Sequence, residues 1–264
     1  MRDVHSDPDH DRTVITLSGP PAALVDAGVA LAAAARDLID LRGHDGVHPF
    51  VGALDVLPFV ALAPSAMPDA IAAAREAADR IGGDVGLPCL LYGLAGGEGR
   101  ERPARLRAGG LDALAARMAS GEVVADAGPR VPDPASGVVL VGAREPLIAW
   151  NIWLPGGSLD DARAVAAAVR EGAAGGGLES VRALGLMCPR TGLAQVSMNI
   201  EDYRRTPLLA VVGRVRREAA DRGLVVGESE LVGMVPRAAL DGMSPDALGL
   251  PGLPPEKIIE TTED

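Results

Sequence analysis

Lysine, cysteine and aromatic residues are scarce in this 264-residue chain, and two of these shortages exclude classes of chemistry. Lys257 is the single lysine, so neither a phosphate-binding P-loop lysine nor an internal Schiff-base lysine has a candidate residue. The two cysteines, Cys89 and Cys188, are too few for a four-cysteine metal site or a secreted disulfide framework, and they favour a reducing cytoplasm. The shortage of lysine therefore excludes P-loop nucleotide kinases and pyridoxal enzymes.

Long apolar runs and positive charge are also in short supply. No stretch of 18 uninterrupted apolar residues occurs, and the polar, acidic segment 1–7 has no apolar core, so we expect neither a membrane span nor a signal peptide. The formal net charge of -11 opposes binding to nucleic acid or to an anionic membrane surface. The length fits one large domain or two domains of about 100–150 residues each.

Hydrophobic periodicity predicts a mixed α+β protein. In the first half, three strands are predicted at residues 13–18, 53–62 and 89–92. Three helices are predicted at residues 24–38, 71–81 and 111–118. Glycine, arginine, proline and alanine dominate residues 93–134, which we interpret as the stretch between two domains.

The second half follows the order strand, helix, strand, strand, helix, strand. The strands are predicted at residues 147–154, 181–187, 193–199 and 225–226. Ser158 and Asp161 form a capping box ahead of the first helix, and Thr206 with Pro207 supplies the N-cap and first turn of the second. This order is that of the ferredoxin-like fold, in which two helices cover one face of an antiparallel sheet.

Histidine chemistry is confined to the first 48 residues, which hold all four histidines. His44 and His48 lie four residues apart, but Gly46 and Pro49 oppose the helix that would align both on a metal ion. His5 and His10 lie among aspartates, and a solvated polar N-terminus explains them more simply than ligation does. We therefore expect no metal site.

Several runs of residues carry a family resemblance. The longest covers residues 38–59 and contains His44-x-Gly46-x-His48-Pro49. Shorter runs cover residues 3–14, 91–93, 142–149, 195–199 and 229–236. Together they resemble the glutamate formiminotransferase (formimidoyltransferase) family over nearly the whole chain, in the form without a fused cyclodeaminase.

The resemblance implies a fold and an activity. It implies two two-layer α/β subdomains, which we assign to residues 1–142 and 143–264, with folate bound between them. It implies transfer of a formimino group between N-formimino-L-glutamate and N5 of tetrahydrofolate, as part of histidine degradation and one-carbon metabolism. Tetrahydrofolate would be a co-substrate, no metal would be needed, and the chain would form a homodimer.

The resemblance also implies site residues. His48 matches the family's catalytic acid/base, and imidazole suits this role because its ordinary pKa of ~6.5 lets it take up and return a proton. Asp40 or Asp55 would orient this imidazole. Arg12 and Arg144 are candidates for holding ligand carboxylates. The family's folate-contacting loop matches Gly128, Pro129, Arg130, Val131, Pro132, Asp133, Pro134, Ala135, Ser136 and Gly137.

Some positions depart from the family pattern. Phe50 stands where relatives usually carry Arg, and Leu94 stands where they usually carry Glu. Relatives also begin about thirty residues earlier, which we attribute to a misplaced start codon or a trimmed chain. These departures leave open the alternative of a folate-binding relative with lost or altered activity, such as transfer of a formyl group.

Overall fold

The computed structural model describes residues 1–240 and 242–262, which form two units with separate sheets. One unit, here called the parallel unit, comprises Ser18–Asp45 and Pro49–Glu145. The other, here called the antiparallel unit, comprises Met1–Leu17, Gly46–His48 and the residues from Pro146 onward. The mixed helix and sheet content predicted from the sequence is confirmed.

The parallel unit is a three-stranded sheet with helices on both faces, so it has three layers and not the two that the family resemblance implied. Its strands run in the order β3 (Val56–Val60), β5 (Val139–Arg144), β4 (Cys89–Gly93), all parallel. One face packs against α1 (Pro21–Leu38) and α2 (Met67–Arg80). The other face packs against α3 (Pro103–Arg107) and α4 (Gly110–Ala119). Residues 93–134 therefore lie within this unit, and the prediction that they connect two domains is wrong.

The central strand β5 is absent from the sequence-based prediction. Val139, Val141 and Ala143 enter the core under α1 and α2, whereas Leu140 enters the core on the opposite face. A strand that is buried on both faces has no polar alternation to reveal it. The sequence of β5 therefore does not alternate between apolar and polar residues, and the residues before it resemble a loop.

The antiparallel unit contains a four-stranded sheet with two helices on one face. In chain order its elements are β6 (Ile148–Leu154), α5 (Leu159–Val169), β7 (Val181–Cys188), β8 (Leu193–Ile200), α6 (Leu208–Ala220) and β9 (Ser229–Val232). The sheet order is β7-β8-β6-β9, with every pair antiparallel. Helix α5 begins with the predicted capping box, in which Ser158 and Asp161 bond each other's backbone.

Two details of this unit correct the prediction. The last strand is Ser229–Val232 rather than 225–226, and Val225 is 79% exposed. The N-cap of α6 is Pro207 rather than Thr206. The hydroxyl of Thr206 instead donates to the carbonyl of Glu179 over 2.6 Å, so it ties the helix entry to the loop before β7.

The first 17 residues form a hairpin that belongs to the antiparallel unit. β1 (Asp3–Asp7) pairs with β2 (Arg12–Thr16), with His5 opposite Val14 and Asp7 opposite Arg12. The expectation that His10 belongs to a solvated N-terminus is wrong, because His10 at the turn is only 1% exposed. Lys257 Nζ lies 2.8 Å from both carboxylate oxygens of Asp3, so the single lysine ties the hairpin to the C-terminal segment.

The four-stranded sheet has an apolar face and a polar face. Alternate residues of β6 and β8, such as Trp150 and Val196, enter the core with α5 and α6. The intervening residues point the other way. This second surface, here called the polar face, carries Asn151, Trp153, Gln195, Ser197 and Glu230, with Asn151 opposite Ser197 and Glu230 and Trp153 opposite Gln195.

Within the residues that the structure describes, no helix is long and apolar enough to cross a membrane.

Candidate active site

His10 joins the hairpin to the polar face, and its partners fix its protonation. Arg12 Nη2 lies 3.1 Å from His10 Nδ1, and His10 Nε2 lies 3.0 Å from Gln195 Oε1. Because a guanidinium only donates, Nδ1 accepts, and the ring proton lies on Nε2, which donates to Gln195. Burial and then the charge of Arg12 lower the pKa of His10 below 6.5, which favours the neutral ring.

His48 lies beside this neutral imidazole. The two rings are stacked, with centroids 5.8 Å apart and planes inclined by 26°. Asp9 helps to hold the short segment 46–48 in the antiparallel unit, because its carbonyl accepts the backbone N–H of Val47 over 3.2 Å. The carboxylate of Asp9 in turn accepts the backbone N–H of Arg190 over 2.7 Å. His48 is half-buried.

Glu230 provides a fixed carboxylate on the polar face. Asn151 Nδ2 donates to Glu230 Oε2 over 3.1 Å, and His5 Nε2 lies 3.3 Å from Glu230 Oε1. His5 and Asn151 lower the pKa of Glu230 below its ordinary value, against the opposing effect of burial. Glu230 is therefore an anion at neutral pH.

The two aspartates predicted to orient His48 have other partners. Asp40 Oδ2 accepts from Arg42 Nη2 over 2.6 Å, and this exposed pair, with a backbone hydrogen bond, lowers the pKa of Asp40 to about 2. Asp55 Oδ1 accepts the backbone N–H of Val51 over 2.8 Å, and Asp55 Oδ2 pairs with Arg107. Both aspartates belong to the parallel unit, whereas His48 belongs to the antiparallel unit.

The predicted folate loop lies in the parallel unit, between two glycines that the backbone requires. Gly128 has φ +78°, and a Cβ there would lie 2.4 Å from the carbonyl oxygen of Leu87. Gly137 has φ +71°, and a Cβ there would lie 2.2 Å from the carbonyl oxygen of Val51. Neither approach leaves room for a side chain. Asp133 closes the end of the loop, since its carboxylate accepts the backbone N–H of Ala135 over 2.7 Å.

The two predicted carboxylate-binding arginines belong to different units. Arg12 contacts His10, as described above. Arg144 ends β5, donates to the carbonyl of Glu145 over 2.9 Å, and hydrogen-bonds Tyr92. Burial raises the pKa of Tyr92, so its hydroxyl stays protonated. The structure therefore places Arg12 with His48 in the antiparallel unit, and Arg144 with Asp40, Asp55 and the loop in the parallel unit.

Sequence reasoning did not assign roles to His10, Gln195 and Glu230. Gln195 and Glu230 each lie in a run that carried the family resemblance, but the resemblance assigned neither residue a role. The period of two along β8 was the available signal, because Gln195 alternates with the apolar Ala194 and Val196. Among the described residues, no group of three His, Cys, Asp or Glu side chains is arranged to hold a metal ion.

Comparison with protein families matches both halves of the chain. A model described as "Formiminotransferase domain, N-terminal subdomain" matches residues 1–144. A model described as "Formiminotransferase domain" matches residues 149–244.

Individual relatives are similar over most of the chain. The glutamate formimidoyltransferase of Thermoplasma acidophilum is 36% identical over 265 residues, covering 98% of this chain and 85% of that protein. The glutamate formimidoyltransferase of Streptococcus pyogenes serotype M1 is 33% identical over 241 residues, covering 91% and 80%. The formimidoyltransferase-cyclodeaminase of Rattus norvegicus is 37% identical over 249 residues, but the match spans only 45% of the rat protein.

Proposed function

We propose that this chain, which belongs to the formiminotransferase family, transfers a formimino group between N-formimino-L-glutamate and N5 of tetrahydrofolate. The similarity to a glutamate formimidoyltransferase over 98% of the chain carries the proposal. Tetrahydrofolate is the co-substrate, and histidine degradation is the process in which the donor arises.

His48 is proposed as the general acid and base. N5 of tetrahydrofolate adds to the amidine carbon of the donor as its C=N bond opens, which gives a tetrahedral carbon bearing N5, the glutamate nitrogen and the former imino nitrogen. His48 takes the proton from N5 and returns it to the glutamate nitrogen as the original C–N bond breaks. The products are 5-formiminotetrahydrofolate and L-glutamate.

The surroundings of His48 support this role. The stacked His10 ring is neutral, because Arg12 donates to its Nδ1 and Gln195 accepts from its Nε2. A neutral neighbour puts no second imidazolium against His48 when that ring takes up a proton. Asp40 and Asp55 stay predicted as orienting groups, and Asp55 is already engaged by Arg107 and Val51.

Ligand contacts are proposed for the predicted loop and arginines. Residues 128–137 form the folate loop, and Arg12 and Arg144 hold carboxylates of the glutamate moieties. Their positive charges matter because a chain of formal net charge -11 would otherwise repel these anionic ligands. Binding of folate between the two subdomains is inferred from the family resemblance.

The finer architecture is proposed as well. The sheet order β7-β8-β6-β9 and the strand and helix order of the antiparallel unit support a ferredoxin-like fold. The division into subdomains 1–142 and 143–264 stays a prediction, and residue 142 lies within β5. A homodimer, a cytoplasmic location, independence from metal, and the absence of nucleic-acid and membrane partners also stay predictions.

Product analysis tests the proposed function. The chain is incubated with N-formimino-L-glutamate and tetrahydrofolate, and both L-glutamate and the folate product are identified by mass spectrometry. Glutamate release that depends on tetrahydrofolate, with a formimino-bearing folate product, is the expected result. Binding of folate without transfer would contradict the proposal and favour the folate-binding alternative, while transfer only from N-formyl-L-glutamate would favour a formyl transferase.

A further inference from the structure

Glu230 is held on the polar face by two neighbours, and its side chain is partly exposed. Asn151, which is 2% exposed, holds Oε2, and His5 lies against Oε1. The Glu230 side chain itself is 31% exposed. Each carboxylate oxygen has a second lone pair, so the group can accept further hydrogen bonds from a ligand.

The other carboxylates near His10 are engaged differently. Asp7 Oδ1 accepts the backbone N–H groups of Asp9 and His10 over 2.8 and 3.0 Å, so it shapes the hairpin turn. Asp9 is buried and accepts the backbone N–H of Arg190. Asn151 brings no positive charge to Glu230, unlike the arginine that pairs with Asp55. The described partners of Glu230 are therefore His5 and Asn151, and neither is a permanently charged guanidinium.

Both substrates of the proposed reaction carry a group that complements such a carboxylate. The formimino group of the donor is an amidine, which at neutral pH is a planar N–C–N cation with N–H donors. The pterin ring of tetrahydrofolate presents a similar N–C–N edge with its 2-amino group and N3–H. A carboxylate accepts two parallel hydrogen bonds from this type of edge, and the bonds are strengthened by charge.

Resting on the proposed function, we propose that Glu230 is a substrate-specificity residue that binds an N–C–N edge, of either the formimino group or the pterin ring. His5 and Asn151 hold its carboxylate in place. Glu230 lies on the same polar face as Gln195, which bonds His10, and the His10 ring stacks on His48, so this contact belongs to the same cluster of residues.

Ligand pairs separate the two sources of the N–C–N edge. N-formyl-L-glutamate resembles N-formimino-L-glutamate but lacks the amidine, and p-aminobenzoyl-L-glutamate resembles the non-pterin part of folinic acid. Affinities for all four are measured by titration calorimetry on the full chain and on the Glu230→Gln variant. The preference is the ratio of affinities within one pair, either N-formimino- over N-formyl-L-glutamate or folinic acid over p-aminobenzoyl-L-glutamate. We expect Glu230→Gln to reduce one of these two ratios about 10- to 100-fold.

The matched control is Glu228→Gln, which removes an equal charge from an exposed position two residues earlier. It should leave both preferences unchanged. Loss of the formimino preference assigns the amidine, and loss of the folinic acid preference assigns the pterin. An equal loss in both variants, or no loss in Glu230→Gln, would overturn the proposal.

Two further measurements keep the test decisive. Circular dichroism checks the fold, and Glu230→Asp, which withdraws the carboxylate by one methylene, should show an intermediate preference. If Glu230→Gln does not fold, an unchanged preference in Glu230→Asp overturns the proposal. If the wild-type chain shows the preference but transfers no formimino group, the proposed function fails while the role of Glu230 stands.

Discussion

Replacing Gly137 by alanine should destabilise the parallel unit and loosen the predicted folate loop. Gly137 ends this loop next to residues 51–53, where Val138 N donates to the carbonyl of Val51 over 2.9 Å and Ala53 N donates to that of Ser136 over 2.9 Å. A Cβ at Gly137 would lie 2.2 Å from the carbonyl oxygen of Val51 and 2.8 Å from the Cα of Gly52. Both obstacles are backbone atoms, which no side-chain rotation can move.

The expected cost has two parts. Alanine at a φ of +71° meets the strain of the left-handed region, which is about 1–2 kcal/mol. The overlap with Val51 and Gly52 requires a backbone shift of the kind that costs about 1–3 kcal/mol when a packed site is overfilled. Gly137→Ala should therefore lower the free energy of unfolding by about 2–5 kcal/mol.

Gly121 provides the control, because its φ is +79° and nothing lies within 4 Å of a Cβ there. Gly121→Ala should cost only the backbone part, about 1–2 kcal/mol. Urea unfolding followed by circular dichroism measures both variants, and folinic acid titration should show weaker binding for Gly137→Ala alone. If Gly137→Ala were as stable as Gly121→Ala, the close packing of the loop end would be refuted.

Three further predictions concern the antiparallel unit. Burial and Arg12 lower the pKa of His10 in the folded chain. Because the unfolded chain then binds a proton at His10 more readily, the contribution of His10 to stability decreases as the pH falls below about 6.5. The urea midpoint of His10→Gln should accordingly change less between about pH 7 and about pH 5 than that of the wild type, and an equal change would contradict this sign. Lys257→Met leaves the half-buried Asp3 carboxylate without its partner and should lower the free energy of unfolding by about 1–3 kcal/mol. Amide hydrogen exchange in β1 and β2 should become faster. Unchanged exchange would show that the ion pair does not hold the hairpin. Gly185→Ala would place a Cβ 2.1 Å from the backbone nitrogen of Arg163 in α5, so it should lower the melting temperature. The control, Gly213→Ala, lies in open space on α6 and should raise the free energy of unfolding by about 0.5–1 kcal/mol. A Gly185→Ala variant as stable as Gly213→Ala would contradict the packing of α5 on β7.

Local patterns predicted much of the fold. The helices α1, α2 and α6 show apolar residues at helical spacing, and the capping box at Ser158 marks the start of α5. The pattern failed where the environment of a strand is set by distant residues. β5 is buried on both faces, and β1 has a single apolar residue, Val4, so the sequence of neither strand alternates apolar and polar residues.

The candidate site was predictable only in part, for a related reason. His48 was identified through a family resemblance in the surrounding run of residues. Its stacking partner His10 is neutral because it is buried and bonded to Gln195, which lies 185 residues further along the chain. Glu230 likewise depends on Asn151 and His5, 79 and 225 residues away in sequence. No local pattern contains such pairings, because packing of the hairpin on the four-stranded sheet creates two of them and the β6–β9 register creates the third.

The most direct test of the central claim compares formimino transfer by the wild type and by His48→Ala. General acid and base catalysis contributes typically about 10²–10⁴-fold, so the variant should lose at least about 100-fold in kcat. Folinic acid should still bind with nearly unchanged affinity, and added imidazole should restore part of the rate. A His48→Ala variant that transfers the formimino group at the wild-type rate would contradict the account.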